Sequence, residues 1–172
     1  NRWRTEALQR LKSLPARERD LLLHSAAIEL ARMGDYERAE SLIKQIKPGD
    51  SLRSWTARQA AYSALEQGNL NRAQRFASLI DAHNIRIRVY AHIAARYYQA
   101  GEKRIAQGLI DRIVQQMQPQ RHTGLVNYAV DMTDGVCHPV IEEDAYPLVR
   151  PLLRQLEEEV AKAPSADARK FM

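Results

Sequence analysis

The chain has 172 residues, 45% of them hydrophobic and 27% charged, with a formal net charge of +5. That length and apolar content suffice to bury a sizeable core, as one domain or as a short repeat array. No apolar run approaches the roughly 20 residues that cross a bilayer, and a single cysteine, Cys137, excludes an internal disulfide.

Charge is unevenly spread. Residues 1–51 hold 10 basic and 8 acidic side chains, residues 52–121 hold 11 and 4, and residues 122–172 hold 5 and 9. A basic middle favours acidic partners: a carboxylate-rich peptide, nucleic acid or an anionic surface. An Arg-rich solubilising helix surface has the same composition. Neither an initiator Met nor a signal-peptide pattern stands at the start, so Asn1 is expected to be a cut edge of a longer chain. Nothing in the sequence names a cell compartment.

Residues 1–14 read as a helix with Trp3, Ala7, Leu8, Leu11 and Leu14 on one side, closed by Pro15. A second helix is expected over 18–33, with Leu22, Leu23, Ala26, Ala27 and Leu30 as its apolar stripe. Gly34 suits the residue after a helix, free to take positive φ, and Asp35 can cap the helix that follows. That helix runs through Ile46 and stops at Lys47-Pro48-Gly49-Asp50, with Asp50 or Ser51 capping the next. Further pairs fall at about 52–66 with 70–81, and 85–99 with 102–117, the last ending before Pro119. The boundary Asp81-Ala82-His83-Asn84 lacks both Pro and Gly.

These elements repeat. Gly34-Asp35-Tyr36-Glu37-Arg38-Ala39 is echoed by Gly68-Asn69-Leu70-Asn71-Arg72-Ala73 and by Gly101-Glu102-Lys103-Arg104-Ile105-Ala106. Each glycine is followed by an Ala at +5 and an Ile at +12: Ile46, Ile80 and Ile113. A period of about 34 residues marks stacked helical repeats. Ala39, Ala73 and Ala106, with Ala27, Ala61 and Ala94 seven residues before each glycine, fit close helix crossings where a longer side chain would push backbones apart.

The units resemble tetratricopeptide repeats over residues 20–117. They share the 34-residue period, the Gly-Asp-Tyr-Glu-Arg-Ala turn and small residues at two crossing positions. They depart from the family at Ile46, Ile80 and Ile113, where it prefers Ala, and at Ser51 and His83-Asn84-Ile85, where it closes a unit with Pro. The subtype stays open between a Sel1-like, a pentatricopeptide-like and another helical array. The expected fold is all-α, with antiparallel helical hairpins stacked as a short right-handed solenoid. Residues 18–50, 51–84 and 85–117 form its repeats, and 1–15 the second helix of a preceding one.

Past 117 the pattern loosens. Gly135 keeps the 34-residue beat, 121–133 read as one more first helix, and Gly135-Val136-Cys137-His138-Pro139-Val140 reads as a loop. A capping helix over about 145–161 carries Leu148, Leu152, Leu153, Leu156 and Val160, with Glu157-Glu158-Glu159 outward and Pro147 and Pro151 near its start. Residues 118–172 thus form a degenerate repeat and cap, with 163–172 frayed.

In tetratricopeptide arrays the first helices line a concave groove. The resemblance places His24, Ser25, Arg32, Trp55, Arg58, Gln59, Tyr62, Glu66, Arg88, His92, Tyr98 and Gln99 on that face. Independently of the family, Trp55, Arg58, Gln59 and Tyr62 share one helical face by spacing. Aromatic walls with Arg forks suit a peptide bearing a carboxylate, although Trp55 and Tyr62 could equally pack between units. Arg72, Arg75, Arg86, Arg88, Arg96, Lys103, Arg104 and Arg112 form the basic middle, without the interleaved aromatics that nucleic-acid stacking favours.

The one constellation for chemistry is Asp134, Cys137, His138, Glu142, Glu143 and Asp144, with His122. It has neither zinc-ligand spacing nor a held base for Cys137, and no phosphate loop, nucleophile elbow or His-Glu-x-x-His motif occurs. The sequence therefore points to a non-catalytic interaction scaffold without a cofactor or metal, its partner a protein or peptide, an acidic one by charge. An RNA-binding helical repeat and a self-associating structural module are the alternatives.

Overall fold

The computed structural model describes residues 13–121 and 125–162, with side chains at 13–117 and 128–161. Every secondary-structure element among the described residues is helical. In chain order these are α1 (Ala16–Arg32), α2 (Tyr36–Ile43), α3 (Ser51–Glu66), α4 (Leu70–Ala77), α5 (His83–Gln99), α6 (Lys103–Arg121), α7 (Leu125–Met132), a π-helical turn (Thr133–Cys137), α8 (His138–Glu142) and α9 (Tyr146–Lys162). The expected helix over 1–14 and the tail 163–172 lie outside the described residues, apart from Ser13 and Leu14. The chain divides into two compact units, Asn1–His83 and Asn84–Met172.

Gly34, Gly68 and Gly101 end three helices in one geometry, with φ of 80°, 71° and 85°. The amide after each glycine donates five residues back: Asp35 to Leu30 O and Asn69 to Ala64 O at 2.8 Å, Glu102 to Tyr97 O at 2.9 Å. Each glycine amide donates three back, to Ala31, Leu65 and Tyr98. This pair of bonds is the Schellman cap, which needs a left-handed residue that glycine supplies without strain. Asp35 and Asn69 then cap α2 and α4, accepting from the amides of Arg38 and Arg72.

In the first unit α1 packs on α2 and α3, α2 on α3, and α3 on α4. The predicted crossing alanines, Ala27, Ala39, Ala61 and Ala73, are wholly inaccessible. In the second unit Ala94 and Ala106 are equally buried. Phe76 and Tyr36 meet edge to face at 6.1 Å between α4 and α2, a geometry that aligns ring edge with ring face.

Several sequence expectations are corrected. Leu22 and Ala26 are exposed; the buried face of α1 is Asp20, Leu23, Ala27 and Ala31. The helical period allowed either stripe, and packing on α2 and α3 selects this one. Helices α2 and α4 stop at Ile43 and Ala77, before Ile46 and Ile80. The chain tightens there into three-residue steps, Ile46 N to Ile43 O and Ile80 N to Ala77 O, which still bury both isoleucines. Ile113, by contrast, lies within α6, which continues past Pro119 to Arg121. A proline this close to a helix end removes a single ladder bond.

The boundary without Pro or Gly is held from a distance. Ser54 Oγ on α3 accepts both the Asp81 and Ala82 amides at 3.1 Å, and Asp81 Oδ2 accepts the Gly49 amide at 2.9 Å. Ser54 is 2% exposed. We expect Ser54→Ala to lower unfolding free energy by about 1–3 kcal/mol, since two part-buried donors lose their acceptor. Urea unfolding of parent and variant measures it, and an unchanged midpoint would contradict this assignment.

The predicted loop at 135–140 is helical. His138 N donates to Thr133 O, a five-residue step, so α7, the π turn and α8 follow without an intervening loop. The wide turn shifts the ladder immediately before Pro139, whose missing N–H then falls in the first turn of α8. Gly135 is not a helix end: it lies within the π turn, where an added Cβ would make ordinary van der Waals contact with Ile87 of α5 at 3.6 Å. The Schellman geometry returns at Asp144 instead. Its φ is 55°, its amide donates to Ile141 O, and the Ala145 amide donates to Val140 O.

In α9 the buried face is Leu148, Val149, Leu152 and Leu156, while Leu153 and Val160 are half-buried. Pro147 and Pro151 both point outward. The Pro147 carbonyl lacks a ladder donor because Pro151 has no N–H.

Candidate functional site

Helix α3 is almost entirely enclosed. From Ser54 to Glu66 the side chains that remain accessible are Trp55, Arg58, Gln59, Tyr62 and Glu66, with every other position buried. The open positions are the i, i+3, i+4, i+7 and i+11 places of a single stripe. Four of the five are the residues whose spacing singled them out. Ala57, Ala60, Ala61 and Ala64 supply the close packing that buries the rest of the helix.

Within the stripe, the Arg58 guanidinium lies 3.9 Å from the centre of the Trp55 ring. The indole face attracts the cation and fixes the plane of its fork. Arg58 Nε is buried without a hydrogen-bond partner, whereas Trp55 is 44% exposed. An oriented guanidinium beside an open indole can hold a carboxylate and pack against an apolar neighbour of it.

His24 does not extend this surface freely. Its Nδ1 lies 2.8 Å from Thr56 Oγ1, and Thr56 donates its own proton to Leu52 O at 2.6 Å. The hydroxyl must therefore accept, so His24 carries its proton on Nδ1. Burial pushes the His24 pKa below its ordinary value. The unfolded chain then binds protons near pH 6.5 that the folded chain does not. The stability from His24 is present above that pH and lost as pH falls towards its folded pKa. Lowering pH from 7.5 to 5.5 should accordingly depress the melting temperature less in His24→Gln than in the parent. Equal depression in the two would overturn this.

Arg32 is spent on its own helix, with Nη1 2.7 Å from Glu29 Oε1 at the exposed end of α1. Gln67 bonds the Ala31 and Arg32 carbonyls and accepts from the Tyr36 hydroxyl at 2.8 Å.

In the second unit, Arg88 is exposed on α5, and Tyr98 lies beneath the Lys103 ammonium at 5.6 Å. His92 turns to the chain's own Glu143, with Nδ1 3.5 Å from Oε1. Burial pushes the His92 pKa down, against the opposing pull of Glu143 and Glu142. Arg96, read in the sequence only as part of the basic middle, reaches the same carboxylate, Nε to Oε2 at 3.0 Å. The Gln99 amide donates to the Glu143 carbonyl. No sequence signal links residues 44 to 51 positions apart across a π turn. Arg72 is likewise paired, 3.1 Å from Glu37.

The acidic constellation gathers no site. Cys137 is wholly buried, which raises its thiol to about 12 and keeps it protonated. His138 pairs with Glu142 at 3.3 Å on the surface, and His122 lies outside the described residues. Among the described residues no three His, Cys, Asp or Glu side chains are grouped to hold a metal, and no helix is long and apolar enough to cross a membrane. An open groove of about 400 Å³ between α6 and α9, lined by Ile110, Val114, Leu148, Leu152, Gln107 and Gln155, is a feature the sequence reading missed. Its only signal was two amphipathic stripes far apart in sequence. Compared with known proteins, the chain matches no family model, no curated protein and no solved structure.

Proposed function

We propose that this chain is a non-catalytic protein-interaction module that binds a partner peptide along the Trp55–Arg58–Gln59–Tyr62 stripe of α3. The observation that carries the reading is the enclosure of α3 on every side but that one, with Arg58 already stacked on Trp55. A helix that exposes one aromatic and arginine stripe has the composition of interface anchors rather than of a solvated face. The partner is a peptide with a carboxylate for Arg58 beside an apolar side chain for the open indole.

In this reading the helical hairpins stack as a short right-handed array resembling tetratricopeptide repeats. Support comes from the register of the first unit. Residue pairs His24–Thr56, Tyr36–Gln67, Ala31–Gln67 and Glu37–Arg72 all touch at separations of 31 to 36 residues, close to the sequence period. Separations of this size are those expected where one hairpin is laid on the next in a stacked array.

Arg58→Glu and Trp55→Ala test the site. A partner captured by the parent chain is purified and its affinity compared across the variants, after circular dichroism shows equal helicity. Arg58→Glu should weaken binding at least about 30-fold, the scale of an interface hot spot. Unchanged affinity in both variants would remove α3 as the site. A steep fall of affinity with salt would favour the phosphate contacts of a nucleic-acid partner instead.

A further inference from the structure

Three side chains one or two turns apart on α5 converge on a single residue. His92, Arg96 and Gln99 occupy the i, i+4 and i+7 places of one face. Arg96 Nε lies 3.0 Å from Glu143 Oε2, His92 Nδ1 lies 3.5 Å from Oε1, and the Gln99 amide donates to the Glu143 main-chain carbonyl. One glutamate is therefore approached by a cationic or ionisable nitrogen at each carboxylate oxygen, neither aligned as a hydrogen bond, and is hydrogen-bonded at its backbone carbonyl. A side-chain ion pair alone needs only the first of these. Gripping the carbonyl as well is how a groove reads a residue of a peptide, because only a residue outside a helix ladder has that oxygen to spare.

Glu143 is such a residue. It follows the five-residue α8 and precedes Asp144, whose left-handed φ of 55° turns the chain away. The seat of α8 does not depend on the grip. Val136, Cys137, Val140 and Ala145 are wholly buried around Glu143 and carry the packing, whereas the Arg96 side chain is 41% exposed and that of Glu143 21%. The charged groups facing His92 are Glu143 and Glu142 from the end of α8, and Arg88 of its own helix. The Arg96–Glu143 pair, with both side chains partly accessible, contributes little net stability, while the His92 Nδ1 and Arg96 Nε atoms themselves are buried.

We propose that the His92–Arg96–Gln99 face of α5 is a receptor for an acidic residue of a partner peptide, and that Glu143 fills it in the free chain as an internal stand-in. The partner's glutamate or aspartate displaces Glu143, so the chain's own acidic turn sets the threshold for binding. The inference uses only residues of the second unit and does not depend on the α3 reading.

The test uses the full chain and a synthetic acetyl-Ile-Glu-Glu-Asp-Ala-amide, the sequence of residues 141–145, followed by calorimetric titration. Removing the internal competitor with Glu143→Ala should tighten binding at least about tenfold over the parent, since an occupied site lowers apparent affinity by its closed fraction. Adding Arg96→Ala to Glu143→Ala should abolish the gain, as should replacing the second glutamate of the peptide by glutamine. Adding Arg58→Glu should leave it intact. If Glu143→Ala fails to fold, Glu143→Gln, which keeps the shape and loses the charge, takes its place in the same titrations. Affinity no better than that of the parent would overturn the proposal and leave the contact a structural ion pair. So would a gain that survives Arg96→Ala or disappears with Arg58→Glu.

Discussion

Phe76→Ala should cost about 3–5 kcal/mol of unfolding free energy and lower the melting temperature by roughly 10 °C. Phe76 is 1% exposed, and it is among the largest fully buried side chains of the protein. Its ring meets Tyr36 at 6.1 Å, and the Tyr36 hydroxyl continues to Gln67, which ties down the end of α1. Truncation removes the transfer energy of the ring and leaves a void bordered by Tyr36, which its bond to Gln67 hinders from collapsing inward. Phe76→Leu, which fills most of the space, should lose less than half as much. Thermal melts of the three proteins decide it; a loss below 1 kcal/mol for the alanine variant would mean that this hairpin contributes little to the core.

Ala39→Leu should be damaging for the opposite reason. Ala39 is wholly inaccessible on α2, and Ala27 is equally buried on α1, the helix packed against it. Three added carbons have nowhere to go without separating the helices, and overpacking of a closed crossing costs about 1–3 kcal/mol or more. Ala26→Leu is the control: the same change at an exposed position of α1 should stay within about 0.5 kcal/mol. Denaturant midpoints compare the two. Equal effects would show that the small side chain at position 39 reflects helix propensity rather than crossing distance.

The Ala39 prediction derives from a pattern visible before any coordinates, whereas the one at Phe76 rests on burial seen only in the fold. Glycine followed at fixed spacing by Ala and Ile carries local information: a left-handed cap, a side-chain-capped helix start and a small residue at a crossing. Each of these is decided within a few residues of its own position, so each was legible. The α3 stripe was legible for the same reason, since i, i+3, i+4 and i+7 define a face whatever surrounds the helix.

Which face of a helix is buried is a different matter. On α1 the sequence reading placed Leu22 and Ala26 on the apolar stripe and left out Ala31, which packing on α2 and α3 buries instead. The 34-residue beat pointed to Gly135, yet the fourth helix end of this kind falls at Asp144, because the π turn carries the helix through Pro139. Hydrogen-bond register of that sort depends on the whole rod and its seat on α5, not on the residues at the turn.

The sequence by itself determined that the protein is helical, that helices end at Gly34, Gly68 and Gly101, and which alanines of the repeated pattern are buried. Those are short-range consequences of backbone stereochemistry and side-chain size. Tertiary structure decided which polar groups meet. Ser54 holds the amides of Asp81 and Ala82, and His92, Arg96 and Gln99 close on Glu143. Such contacts join groups brought together only by packing, and a linear chain carries no periodic trace of them.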